Sequence, residues 1–178
     1  ISACLVGSEM CIRDRANLIN AEAPALLAEE AEAQAALLVH YSTDYVFDGS
    51  GNRPWREQDP AAPINYYGAT KLAGESAIRS TGCRHLIFRT SWVYAARGSN
   101  FLGTMTKLIE ERDSLKVIDD QVGAPTGAEL IADVTAIALR QTQQDSELAG
   151  LFNLVSTGET SWHGYARFIA DCLQRQNV

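Results

Sequence analysis

The sequence predicts an α/β fold with a doubly wound parallel sheet, and three observations carry that expectation. Short apolar runs recur at Leu37–Tyr41, His85–Arg89, Leu115–Ile118 and Leu151–Val155, each of strand length and bounded by polar or turn residues. The segments between them place apolar residues at helical spacing, so helix and strand alternate along the chain. No internal repeat or low-complexity linker interrupts the alternation, and 178 residues at 46% hydrophobic content are enough for one sizeable core.

The elements follow in order. Ile1 to Arg15 has no clear period, holds two of the four cysteines and does not lead into the next segment. Residues 1–15 are therefore expected to be foreign to the fold or unstructured, leaving 16–178 as the folded part. Asn20 is expected to cap a helix running to about Ala35, with Glu22 near its positive end and Pro24 early, where a helix tolerates it. The first strand, Leu37–Tyr41, delivers Ser42, Thr43 and Asp44 at its carboxyl end, where open α/β sheets bind ligands. His40 within it reads as a packed core residue.

From Phe47 to Asn65 the chain is a long loop with turn chemistry, including Pro54, Pro60 and Pro63. Its Trp55 and Glu57 have two readings, substrate-facing or folded back on the loop. Asn65 caps the next helix, to about Arg79, which carries Tyr67, Lys71 and Glu75. After the His85–Arg89 strand come Ser91, Trp92 and Tyr94. A helix with Leu102, Met105, Leu108 and Ile109 inward follows, then the Leu115–Ile118 strand. A loop with Gly123 and Pro125 precedes a helix striped by Leu130, Ile131, Val134, Ile137 and Ala138. The chain ends on the Leu151–Val155 strand and a helix capped by Ser161, with Tyr165, Phe168, Ile169, Cys172 and Leu173 inward.

Charge and composition exclude several classes. A net charge of −7 with no basic run argues against a nucleic-acid partner. No stretch approaches the length of a membrane span. Cys4, Cys11, Cys83 and Cys172 lack C-x-x-C spacing and read as incidental thiols in a reducing cytoplasm. No zinc-like ligand spacing and no Gly-x-Ser-x-Gly elbow appears, which disfavours metalloenzyme and hydrolase chemistry.

Tyr67 and Lys71 stand four apart, on one face of a helix. A free phenol titrates near ~10, and a fixed cation beside it is expected to favour phenolate and lower that value. Such a pair also recurs by chance, so its context has to carry the reading. Thr43 adds a hydroxyl at a strand end and Trp92 an aromatic group at another. A hydroxyl donor with a Tyr and an adjacent Lys suits reversible carbonyl reduction, in which Tyr67 protonates the forming alkoxide.

The runs HYSTDYVFDGSG, PWREQDPAAPINYYGATKLAGE, FRTSWVYA and DDQVGAPTGAEL together resemble the dTDP-4-dehydrorhamnose reductases, extended members of the short-chain dehydrogenase/reductase superfamily. The likeness runs from about Ala16 to the end. It implies a partial Rossmann-like sheet with part of a substrate-binding lobe, and reduction of dTDP-4-dehydro-L-rhamnose to dTDP-L-rhamnose with NADPH or NADH. It further implies Tyr67 as proton donor, Lys71 as its partner and a cofactor ligand, Thr43 as the hydroxyl group, and Asp44 and Trp92 as contacts to the sugar nucleotide. Glu129 matches a position where some relatives bind magnesium at a dimer interface, but alone it reads as solvated, and no metal ligand is assigned. A homodimer is compatible with the resemblance.

The departures matter too. Members open with a strand and a Gly-x-x-Gly-x-x-Gly turn that holds the cofactor pyrophosphate, and no such spacing occurs in this chain. The family's segment beyond the Trp162 helix is missing as well. The chain thus reads as a fragment cut at both ends, expected to be inactive alone and to leave a sheet edge uncovered. Two alternatives stay open: a sugar-nucleotide epimerase or dehydratase of the same superfamily, and a non-catalytic subunit like the regulatory subunit of methionine adenosyltransferase. The dehydratase would want an acidic pair beside Thr43, and the run around Trp92 speaks against the regulatory subunit.

Overall fold

The computed structural model describes residues 12–174, which fall into two compact units. The first comprises the chain up to Thr90 together with Gln141–Asn153, and the second Ser91–Arg140 with the chain from Leu154. The expectation for residues 1–15 lies largely outside the described residues; 12–15 are helical.

In the first unit, helical backbone begins at residue 12 and passes through a π turn, Leu18–Glu22, into α1, Ala23–Ala33. Asn20 is therefore not the cap that its residue type suggested. Helical backbone already runs through it from residue 12, and Pro24 falls in the first turn of α1, after a π turn in which Ala23 N–H donates to Leu18 O. The Asn20 side chain instead donates to Thr70 Oγ1 at 3.1 Å. Its carbonyl faces α2, Tyr66–Thr81, so closely that a Cβ on Gly74 would lie 2.1 Å from it. Glycine at 74 is what lets these two helical segments touch.

Three parallel strands make the sheet of this unit, β1 (Leu38–Thr43), β2 (His85–Thr90) and, much later in the chain, β6 (Gly150–Asn153), in the order β1-β2-β6. Pairing runs from Leu38 opposite His85 to Thr43 opposite Thr90, and from Leu86 opposite Gly150 to Arg89 opposite Asn153. Strand alternation sends Ile87 to the face where α1 and α2 pack around Ala28, Ala31, Ile78 and Cys83, joined by Leu38 and Leu151. The other face carries a row of rings, Tyr41, Phe88 and Phe152, with centroids 6.2 and 6.1 Å apart. The long loop after Phe47 is tied to this unit. Trp55 stacks on Phe47 at 4.7 Å, its carbonyl accepts from Asn153 Nδ2 at 3.0 Å, and Glu57 accepts from Asn153 N–H at 2.8 Å. Of the two readings of Trp55, the folded-back one describes its contacts.

The second unit contains β3 (Val93–Tyr94) paired in parallel with β5 (Thr126–Gly127), and β4 (Val122–Gly123) paired antiparallel with β7 (Thr160–Ser161). Its helix α3, Phe101–Glu111, packs on α5, Trp162–Cys172, around Ile109, Tyr165, Ile169 and Ala170. Helix α4, Ala128–Gln144, joins this unit back to the first. Three expectations need correction. Leu115–Ile118 is not a strand; Ile118 O accepts from His163 N–H without continuing a ladder. On α4, Leu130 and Ile137 are exposed, while Ile131 and Thr135 face inward. On α5, Phe168 and Cys172 are exposed, and Ala166 and Ala170 fill the positions beside Ile169.

Candidate active site

The carboxyl end of β1 and the first turns of α2 bring together most of the residues singled out from the sequence. Thr43 ends β1 in extended backbone and caps the 3-10 turn Asp44–Val46, its Oγ1 accepting from Tyr45 N–H at 3.2 Å. Asn65 caps α2 through Oδ1, which accepts from Gly68 N–H at 2.7 Å. A Cβ on Gly68 would stand 2.0 Å from Tyr45 O. Only glycine there lets the helix start press against the turn after β1, and that approach puts Tyr67 beside Thr43.

The Tyr67 phenol stands close enough to the Thr43 hydroxyl for that group to act on its titration, and its ring meets Tyr45 edge-on at 6.1 Å. Thr43 also donates to Asp44 Oδ1 at 3.1 Å. Partial burial pushes the Tyr67 phenol above its ordinary value; the Thr43 hydroxyl opposes that, and the Asp44 charge adds to it. This reverses the expected direction. Lys71 is not among the groups that move the phenol, because its Nζ donates to the Tyr41 carbonyl at 2.5 Å. Burial holds the Lys71 ammonium below its usual value, with Glu75 acting against it. Tyr67 remains 47% exposed, so the phenol is open to a substrate as a neutral O–H donor.

Trp92 belongs to the second unit. It adopts a left-handed φ of 43° and stacks on Trp162, ring centroids 3.6 Å apart and planes 11° from parallel. A Cβ on Gly123 would come 2.6 Å from its ring, so that glycine lets the indole lie flat against the backbone. Glu129 stands near the same segment, its Oε2 3.9 Å from where a Cβ of Gly127 would be.

The sequence reading missed a buried polar cluster under the site. Glu75, 1% exposed, accepts from Ser42 Oγ at 2.5 Å and from Arg89 Nη2 at 2.6 Å. The signal available was an Arg inside the apolar run His85–Arg89 and a Glu one turn beyond Lys71. His40 is held neutral well into acid, pushed down to about 4 chiefly by burial and also by the Lys71 charge, as its core reading requires.

Comparison with known proteins identifies relatives of the chain. The chain is 54% identical to a dTDP-4-dehydrorhamnose reductase of Salmonella typhimurium and 53% to that of Escherichia coli K12, in each case over 92% of the chain and 54% of the relative. It thus spans about half the length of the curated relatives it matches. Among solved structures, a dTDP-4-dehydrorhamnose reductase from Bacillus anthracis in complex with NADP superposes with a TM-score of 0.83 at 36% identity, covering 93% of this chain and 57% of that one. One from Clostridium acetobutylicum gives 0.85 at 37%, over 91% and 56%. A UDP-glucuronic acid 4-epimerase from Bacillus cereus, at 20% identity and a TM-score of 0.73 over 87% and 53%, shares the fold. The parallel sheet is thus the Rossmann-like one expected, and a family model described as the RmlD substrate binding domain matches residues 8–177, so the chain belongs to that family.

Proposed function

We propose that this chain carries the proton-delivery part of an oxidoreductase that reduces the 4-keto group of dTDP-4-dehydro-L-rhamnose to give dTDP-L-rhamnose, a sugar donor for surface polysaccharide. The observation that carries the reading is the packing of Gly68 against the Tyr45 carbonyl, which brings Tyr67 at the start of α2 to the turn that Thr43 caps, with Lys71 one turn along the same helix. NADPH or NADH is the reductant, and bound nicotinamide supplies the hydride. The donor set fits the nicotinamide end of such a cofactor: an accessible phenol and an ammonium on one helix face, at the carboxyl end of a parallel strand.

A carbonyl oxygen resting against Thr43 and Tyr67 meets two O–H donors, which polarise it before reduction. As the oxygen becomes an alkoxide, Tyr67 gives up its proton. The proton ends on the product hydroxyl, leaving a phenolate one turn of helix from the Lys71 ammonium. Lys71 would hold the ribose of a bound cofactor. Asp44 and Trp92 are assigned to the sugar nucleotide by the family motifs they match. We place the reaction in the cytoplasm, in keeping with a buried, unpaired Cys83.

The test joins the chain to the N-terminal glycine-rich unit of a curated relative and follows nicotinamide oxidation with dTDP-4-dehydro-L-rhamnose. Turnover in the joined protein, and none by the 178-residue chain alone, is expected. A joined protein that binds NADPH yet leaves this sugar untouched would overturn the substrate assignment.

A further inference from the structure

Beneath the candidate site lies a polar cluster that the proton transfer itself does not use. Glu75 sits on α2 one turn beyond Lys71 and two beyond Tyr67, facing two strands at once. From β1 it receives the Ser42 hydroxyl, and from β2 the Arg89 guanidinium, Nε at 3.0 Å to Oε1 and Nη2 at 2.6 Å to Oε2. Arg89 is itself 4% exposed and lies over the Phe47 ring at 4.9 Å. A buried ion pair of this kind is a poor device for stability alone, since apolar residues of similar volume often serve as well. What apolar residues cannot do is bond the residue next to Thr43 and also set an anion four residues from Lys71.

We propose that Glu75 is a positioning residue for the reaction described above. It fastens the Ser42 end of β1 to α2, keeping Thr43 beside the start of the helix that carries Tyr67, and it sets a carboxylate one turn from Lys71. This rests on the functional reading already given. Around Lys71, Tyr67 and Glu75 lie one turn away on its own helix and His40 stands on β1; Asn20 of the π turn is bonded to Thr70. Burial works against the Lys71 charge and Glu75 works for it, while His40 stays neutral at ordinary pH.

The decisive comparison is between Glu75→Gln and the double variant Glu75→Leu/Arg89→Met, which removes both buried charges together. On the full 178-residue chain, thermal unfolding is measured alongside the pH midpoint for acylation of Lys71, read by peptide mass spectrometry with the exposed Lys107 and Lys116 as internal references. The double variant is expected to unfold near the parent temperature. Its Lys71 midpoint is nevertheless expected to fall to lower pH, the references unmoved. In the joined protein its kcat should drop about 10²-fold, with little change in KM, because the hydroxyl pair is no longer held in register. A double variant that recovers the parent's stability and also keeps the parent's Lys71 midpoint and kcat would show that the cluster is packing alone, and would overturn the proposal. If Glu75→Gln does not fold, the double variant still decides. Should the joined parent reduce no dTDP-4-keto sugar, the functional reading fails instead, and the Lys71 midpoint still reports whether Glu75 holds the charge.

Discussion

In the proposed reaction Tyr67 is the acid, because its phenol keeps its proton and its side chain is half exposed. With the phenol pushed above its ordinary value of ~10, it is fully protonated at neutral pH and can act as the acid. Removing only its hydroxyl in the joined protein, by Tyr67→Phe, should lower kcat by two orders or more while leaving nicotinamide binding near the parent value, as equilibrium titration would show. The same direction of shift fixes the pH profile. Reduction should stay level through neutral pH and decline only on the alkaline side, as the donor's proton is lost. A decline setting in below neutral pH on raising pH would mean that another group delivers the proton. Gly68 makes a sharper single-residue test, since its Cβ would meet Tyr45 O at 2.0 Å, backbone that cannot swing aside. Gly68→Ala has to push α2 away from the turn after Thr43. It should cost about 1 to 3 kcal/mol of stability and lower kcat about 10²-fold, and a variant with parent kcat would refute this role for the glycine.

At the scale of elements, β1 carries a pH sensor as well as the site. His40 is pushed down to about 4 in the folded chain from an ordinary value near 6.5. Between those values the unfolded chain binds the proton and the folded chain does not, so stability must rise with pH across that window and is lost as pH falls through it. The contribution is at most about 3 kcal/mol. His40→Met, a residue of similar reach with nothing to titrate, should flatten that part of the curve in urea unfolding series from pH 4 to 6.5; an unchanged slope would place the acid sensitivity elsewhere. How much of these elements was legible follows from what kind of signal made them. Strands such as His85–Thr90 and the Asn65-capped α2 announce themselves through short apolar runs and a local cap, and both were readable. Leu115–Ile118 has the same composition as a strand, yet pairing is decided by a partner, which composition does not show. The two-residue ladders of the second unit are too short to leave a period. The helix start failed for a different reason: helical backbone already runs from residue 12, and Pro24 follows a π turn in the first turn of α1. At the candidate site, Tyr67, Lys71 and Thr43 are singled out by spacing and strand ends, and the structure brings Thr43 and Tyr67 to the same end of β1. Glu75 was read as one more helix residue, because its burial depends on Arg89 arriving from a strand fourteen residues later.

For the whole molecule, the sheet order sets the remaining physical question. In the described sheet β2 is paired on both sides, while β1, which carries Thr43 and whose Tyr41 carbonyl receives Lys71, lies at one edge. Parallel strands are normally enclosed, and an edge strand of this kind opens more readily than a central one. The geometry of the candidate site therefore hangs on an edge strand of the described sheet. Adding the N-terminal glycine-rich unit of a curated relative should raise the unfolding temperature. It should also slow amide exchange in Leu38–Thr43 by at least about tenfold, equivalent to ~1.4 kcal/mol of opening free energy, with a smaller change in the already central His85–Thr90. Equal slowing in both strands would indicate general stabilisation of the fold, and no slowing in β1 would mean that the added unit does not pair there. If β1 is selectively protected, the joined unit does more than supply a cofactor site: it fixes the strand from which Thr43 and Tyr67 take their alignment.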